Sequence, residues 1–279
     1  MHIPTNGGAM AALQMLGGII PAKENTLNQV STGKSISSAN HNAAIWAISQ
    51  IMEADVSGFS ALSDSLSLGE ATLSVASAGA EFATDILGEM RQLAILGTGQ
   101  NVDHSKIETQ MQHLTSQLNS VIDSSQFNGV NLLKTDIDGT GASSLTIAAS
   151  LDRQGSATPT LTNITVDSLD LEGSPSFDIN NRTAITDGAS ALTALQEIEG
   201  FMQYAIDGAA ALGASTRQVS DQNQFVGQLA DATRLGISNL TDTNMEESIT
   251  RLMAMETQHQ LGLISLSIAN SMPNALLKL

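Results

Sequence analysis

The chain has 279 residues, enough for one or two domains, and carries 11 basic against 28 acidic side chains. That balance excludes nucleic acid and anionic membrane as partners, because both attract basic patches. There is no cysteine, hence no disulfide or thiolate chemistry, and aromatic residues make up only 3% with a single Trp, which suits closely packed long helices better than a ligand-binding globule.

No basic region precedes an apolar run at the N-terminus, so no secretory signal is expected and any export needs another route. No apolar run reaches membrane-spanning length. From Gly8 to Val30 the residues Met10, Leu13, Leu16, Ile20, Leu27 and Val30 predict a helix. Gly17, Gly18 and Pro21 fall inside it, so it should be kinked or broken there, or form only against a partner. Gly33 and the polar run Ser35 to Asn40 form a connection.

The stretch Asn42 to Thr98 then holds no proline and repeats its apolar residues on a 3–4 spacing from Ile45 to Ala94. Only Asp55 and Gly69 interrupt that stripe. Fifty residues of helix reach roughly 75 Å, far beyond a compact globule of this size, so the helix needs long partners. Gly97 and Gly99 end it. Ser105 with Glu108 reads as a capping box for a third helix, with the stripe Ile107, Met111, Leu114, Leu118 and Val121. Asn128-Gly129 marks a turn.

From Thr135 to Thr183, Pro, Gly, Ser and Thr accumulate, and Leu145 to Ala149 and Leu161 to Leu171 read as strands. Helix resumes near Asp187, with a second long stripe from Ala191 to Leu240 that lapses at Thr216, Asn223 and Thr233. Its phase slips at Thr241 to Asn244. There Thr243 with Glu246 reads as another capping box, and a last stripe runs through Met245, Ile249, Leu252, Glu256, His259, Leu263 and Leu266. Leu261 to Ile268 also alternates like a strand, but the continuing pattern favours helix.

The fold class that follows is mainly α: a long antiparallel helical coiled-coil bundle with a small β-hairpin region in the middle. Its parts are an N-terminal inner-core helix and connection (1–40), two halves of a helical core domain (41–134 and 186–240), a short variable β-rich region (135–185) and a C-terminal inner-core helix (241–279). Formal charge is +1 over 1–40 and −2 over 241–279, against −7, −5 and −4 over 41–134, 135–185 and 186–240. Nearly neutral ends and an acidic middle suggest ends buried together and a middle facing water.

No catalytic, cofactor or metal site is expected. His41, His104, His113 and His259 form no metal spacing with Asp or Glu on one face, so surface or packing roles are expected. Asp136-Ile137-Asp138-Gly139 lacks the further ligands of a calcium loop and reads as a polar turn. An enzyme is disfavoured because no polar groups converge.

The ordered pieces at both ends resemble bacterial flagellin. At the N-terminal end they are Gly8 to Leu13, Ser31-Thr32-Gly33-Lys34, Ala43 to Ser49, Met90 to Ala94 and Gln126 to Val130. At the C-terminal end they are Gly236, Asp242, Met245, Glu247, Ser248, Arg251-Leu252, Gln258 to Gly262, Ser267 to Asn270 and Leu276-Leu277. The resemblance implies a short flagellin with little or no outer domain, a secreted structural subunit of the swimming filament. It implies export in the unfolded state through the flagellar type III apparatus, and polymerisation with itself and with sister flagellins. It further implies an export chaperone and the hook–filament junction and cap proteins as partners.

On this reading Met10, Leu13, Leu16, Ile249, Leu252, Leu263 and Leu266 are expected to pack between subunits in the inner core, and Asp55 and Gly69 mark subunit contacts or a bend. The family's innate-receptor motif is altered: Glu89 and Gln92 replace the usual arginine and glutamate, while Arg91 and Leu93 remain. Weak activation of the flagellin-sensing Toll-like receptor is expected. His41 to Ile45, Pro21 and Gly17-Gly18 also depart from the family pattern, which leaves room for a minor or specialised flagellin. The alternatives are a hook–filament junction protein and a coiled-coil adhesin or binding module.

Overall fold

The structure, a computed structural model, describes residues 6–153 and 158–276, with side chains to 271. Among the described residues five helices and one hairpin follow in the order α1 (Gly7–Thr32), α2 (Ala43–Gly97), α3 (His104–Ser124), β1 (Ser144–Asp152), β2 (Thr160–Asp167), α4 (Gly188–Thr241) and α5 (Met245–Leu276), with a 3₁₀ turn at Ile179–Asn181. The fold is the mainly α bundle with a small antiparallel hairpin that the two stripes predict. The chain forms two compact units, one of residues up to Val56 with those from Asp231 on, the other of Ser57–Ala230. Both long helices, α2 and α4, contribute residues to each.

In the Ser57–Ala230 unit the α2 stripe is buried from Leu62 to Ala94, and Leu66, Leu73, Ala80, Ala83, Leu87 and Met90 are fully sealed. The α4 stripe closes on the same core through Ala191, Ala194, Ile198, Ala205, Leu212, Val219 and Val226. The helices run antiparallel: Arg91 pairs with Glu199, and Ser63 donates to Asn223 Oδ1 at 2.7 Å. Alanines from both helices are interleaved with the larger residues of this seam, which gives the thin core that the composition implies. The polar lapse at Asn223 is filled from α2, since its amide also donates to Ser67 Oγ at 3.1 Å.

The lapse at Gly69 has an intramolecular cause. A Cβ at that position would lie 2.4 Å from Ile147 Cδ1, so the glycine is the seat of β1 on α2. Gly79 seats Ser125 and Leu133, and Gly208 seats Leu169, in the same way. β1 and β2 pair from Ser144↔Asp167 to Asp152↔Thr160, with Ala149 as an extra bulged residue. Its carbonyl accepts from Gln222 Nε2 at 2.9 Å, so α4 holds the hairpin at its irregular point. The second strand ends at Asp167, short of the expected Leu171. Beyond it the Leu169 and Leu171 N–H groups turn to the carbonyls of Leu132 and Leu133 at 2.7 and 2.9 Å, so the backbone leaves the hairpin ladder.

Asn128 and Gly129 carry φ of 51° and 84°, and Phe127 and Val130 exchange both backbone hydrogen bonds, the tight turn that Asn-Gly predicts. In the 136–140 loop Asp136 Oδ1 accepts from the N–H groups of Asp138 and Gly139, and Asp138 Oδ1 accepts from Thr140 N, a self-satisfied polar turn.

Both capping boxes are corrected. The α3 cap is Asp103, whose carboxylate accepts from Lys106 N, and Glu108 is drawn away by Arg182, 74 residues distant in the chain. The α5 cap is Asn244, whose side chain accepts from Glu247 N, while Thr243 meets Ser248 instead. Each cap falls to the short side chain that reaches the free N–H groups of the first turn.

The α1 helix is continuous through Pro21, so of the expected kink, break or partner-dependent helix only the break is ruled out. Proline leaves the Gly17 carbonyl without its helical partner, but no atom lies within 4 Å of where Cβ atoms of Gly17 or Gly18 would stand, so the backbone there can relax around the ring. Contacts with α5 on both sides of the proline hold the helix together, through Leu16 before it and Thr26 after it.

Candidate assembly surface

The two terminal helices, both in the first unit, pair with each other. Asn6 caps α1 by accepting from Ala9 N at 3.1 Å, and its amide donates to the Ala269 carbonyl of α5 at 2.8 Å. Gly8 approaches Ala269, and Leu16 packs onto Gly262, where a Cβ would stand 2.8 Å from Leu16 Cδ2. Thr26 Oγ1 donates to Ala22 O and lies 3.7 Å from Met255 Sδ. Lys23 bonds Glu256, and this ammonium partner holds the Glu256 carboxyl below the ordinary glutamate range. Glu256 and His259, polar members of the last stripe, are half-buried.

The seam is therefore small and polar, and the large apolar side chains point elsewhere. On α1 the buried residues are Ala12, Leu16 and Thr26, while Met10 is 66% and Leu13 62% exposed. Met15, Ile20 and Leu27 are exposed too. On α5 Met253 is 67% exposed, and Ile249, Leu261, Leu263, Ile264 and Ile268 are also open to solvent. Of the residues expected between subunits, Met10, Leu13, Ile249 and Leu263 lie on this open surface, Leu252 and Leu266 are half-buried, and Leu16 is spent inside the pair. The apolar-stripe reading missed Gly8, Ala12, Gly262 and Ala269 as the seam. The available signal was their smallness at four- and seven-residue spacing, which allows close helix approach.

The connections next to this pair are tied together. Thr241 O accepts from Ser35 N at 2.6 Å, from Ile36 N at 3.3 Å and from Ser35 Oγ at 3.0 Å. Thr243 N donates to Gly33 O at 3.0 Å, and Gly33 adopts the left-handed conformation (φ 69°) that ends α1. Lys34 bonds Glu53 at 3.0 Å. Asp55 is half-buried nearby in sequence on α2.

In the Ser57–Ala230 unit Glu89 is exposed, Arg91 is engaged by Glu199, and Leu93 packs against the core. Glu89, Gln92 and Leu93 share a surface groove with Gln110, His113 and Leu114 of α3. A buried polar clasp closes the N-terminal end of α3. Arg182, 5% exposed, makes a two-pronged bond to Glu108 at 2.8 and 3.1 Å, and Glu108 also accepts from Ile185 N at 2.8 Å. Thr183 gives its N–H and hydroxyl to Glu197. Burial alone would push the Glu108 carboxyl up. The hydrogen bonds from Arg182, Ile185 N and Gln112 and the guanidinium charge outweigh it and hold the group below the usual glutamate range.

A terminal helix pair with a thin polar seam and an open apolar surface defines a class of protein: a subunit that completes its core by joining others. Residues 3–137 match the bacterial flagellin N-terminal helical region, and residues 195–279 match the bacterial flagellin C-terminal helical region. Flagellin FljO of Caulobacter vibrioides is 34% identical over 99% of this chain and 97% of its own length. A flagellin of Brucella melitensis is 32% identical over 99% of this chain and 98% of its own. A solved Bacillus cereus flagellin aligns over 57% of this chain and 86% of its own, with a TM-score of 0.48 and 18% identity. The chain belongs to the bacterial flagellin family, and it is a structural subunit of the flagellar filament.

Proposed function

We propose that the open apolar surface of α1 and α5 is the contact by which successive subunits join in the filament's inner layer, with Met10, Leu13, Ile249 and Leu263 at its centre. The exposure of large apolar side chains over a polar seam carries this reading. Twelve large apolar side chains on these two helices are exposed among the described residues. Finishing the burial of each contributes about 1 kcal/mol, so on the order of 10 kcal/mol favours assembly before the cost of association. The same thin seam explains transit through a narrow export apparatus in the unfolded state. The pair buries little of its own apolar surface and is weakly folded until neighbours supply the rest. The route is flagellar type III export, with a chaperone that covers the C-terminal helix before release and with junction and cap proteins bounding the filament.

Seeded elongation tests the reading. Leu13→Asp and Ile264→Asp should each abolish elongation from wild-type seeds while the circular dichroism of the monomer is unchanged. Normal elongation by both would refute it. The altered receptor stretch, with Glu89 and Gln92 beside an engaged Arg91, should give weak signalling from purified monomer in receptor-reporter cells. A full-strength response would overturn that part.

A further inference from the structure

The chain has 11 methionines, and the structure sorts them by place. Met90 and Met111, in the Ser57–Ala230 unit, are fully sealed. Met10, Met15, Met245 and Met253 are 66%, 51%, 39% and 67% exposed, and all four lie on α1 and α5. Leucine would fill the same contacts at similar volume, so packing alone does not call for a thioether here. What the thioether adds is reactivity.

We propose that these four methionines are an oxidation site that gates subunit addition. The inference rests on the reading of this surface as the subunit contact. The oxidant class is a peroxide. The sulfur lone pair attacks one peroxide oxygen, the O–O bond breaks, and the sulfur is oxidised by two electrons to the sulfoxide. The peroxide is reduced to water, its second oxygen taking up the transferred proton.

The consequence follows from polarity. A sulfoxide is a strong hydrogen-bond acceptor, and an apolar subunit contact offers it no donor, so burying it is costly. An oxidised subunit keeps its Ser57–Ala230 core, because Met90 and Met111 are sealed in it and Met202 is half-buried at its margin, yet it cannot complete the joint. In a finished filament the same sulfurs are covered and protected. Oxidation thus stops growth without dissolving what is already built, and reduction of the sulfoxide restores the subunit.

The test treats monomers and preformed filaments with hydrogen peroxide and follows each methionine by peptide mass spectrometry, then measures elongation from untreated seeds. In monomers Met10, Met15, Met245 and Met253 should oxidise at least about tenfold faster than Met90 and Met111. Treated monomer should elongate at least about tenfold more slowly than untreated. In filaments the four should be protected. The variant M10L/M15L/M245L/M253L should elongate after treatment at the rate it shows without treatment. Equal oxidation of buried and exposed methionines, normal elongation by oxidised wild type, or loss of elongation in the treated leucine variant would each overturn the proposal. Failure of untreated wild type to elongate would instead refute the assembly reading beneath it.

Discussion

Gly69 and Gly88 sit on the same helix, and alanine should act on them with opposite signs. In a helix interior, alanine is favoured over glycine by about 1 kcal/mol. At Gly88 nothing lies within 4 Å of the added Cβ, so the full gain should appear. At Gly69 the Cβ would stand 2.4, 2.9 and 3.1 Å from three side-chain carbons of Ile147. An ordinary carbon contact is about 3.5–4.0 Å, so Ile147 must retreat by about 1 Å. It cannot swing aside cheaply, because it is β-branched, 3% exposed and fixed in β1 opposite Ile164. Overpacking costs about 1–3 kcal/mol, and a contact this short belongs in the upper part of that range, about 2–3 kcal/mol, which exceeds the helical gain. Gly69→Ala should therefore lose about 1–2 kcal/mol net and lower Tm by about 3–6 °C, whereas Gly88→Ala should raise it by about 2–4 °C. Thermal unfolding of the monomer by circular dichroism at 222 nm reads both. If the two variants shift Tm in the same direction by similar amounts, Ile147 does not rest on Gly69 and the account of the stripe's lapse is wrong.

Removing Arg182 leaves the half-enclosed Glu108 without its partner, so Arg182→Ala should cost about 3–5 kcal/mol in urea unfolding. Glu108 has a lowered pKa in the folded chain, so its contribution to stability is complete above the ordinary glutamate value and is lost as pH falls through the folded value. The lowered pKa values of Asp103, Asp138, Asp187 and Glu256 act with the same sign, and Glu108→Gln should flatten the acid side of a Tm-against-pH curve. Asn131 is buried, donates to Ile122 O at 2.6 Å and accepts from Leu133 N at 2.9 Å. Asn131→Ala strands both backbone groups and should cost about 2–4 kcal/mol in the same urea assay.

The long helices were legible because a 3–4 stripe of some fifty residues leaves no alternative that buries it. The Asn128-Gly129 turn was legible because the required positive φ angles suit those two residues. What escaped were features decided by distant residues. Glu108 has the spacing of a capping partner for Ser105, but Arg182 offers a charged, two-pronged bond that a single N–H cannot match. Gly69 looked like a bend or an outer contact because nothing local names Ile147 as its occupant. Asn223 looked like a defect in the α4 stripe until Ser63 and Ser67 were seen to close on it from α2. Pro21 should break an isolated helix, and only the far end of the chain supplies the face that holds α1 together.

The terminal pair reverses the usual order of an amphipathic helix, and the reversal ties sequence to function. A helix that hid Met10, Leu13, Ile249 and Leu263 against its own partner would give a stable monomer with little reason to polymerise. Here α1 and α5 meet through Gly8, Ala12, Gly262 and Ala269 and a Lys23–Glu256 bond, contacts that fix register but bury little apolar surface. On the proposed reading the apolar surface is kept for a copy of the same chain. The contact on that reading is heterologous, so it repeats along the filament without closing. The acidic Ser57–Ala230 unit carries a core of its own, sealed by α2, α3, α4 and the hairpin, so stability resides there, while the proposed reading puts assembly in the ends. Substitutions in one should leave the property of the other largely intact, which is why Leu13→Asp is expected to silence elongation while Gly69→Ala moves only Tm.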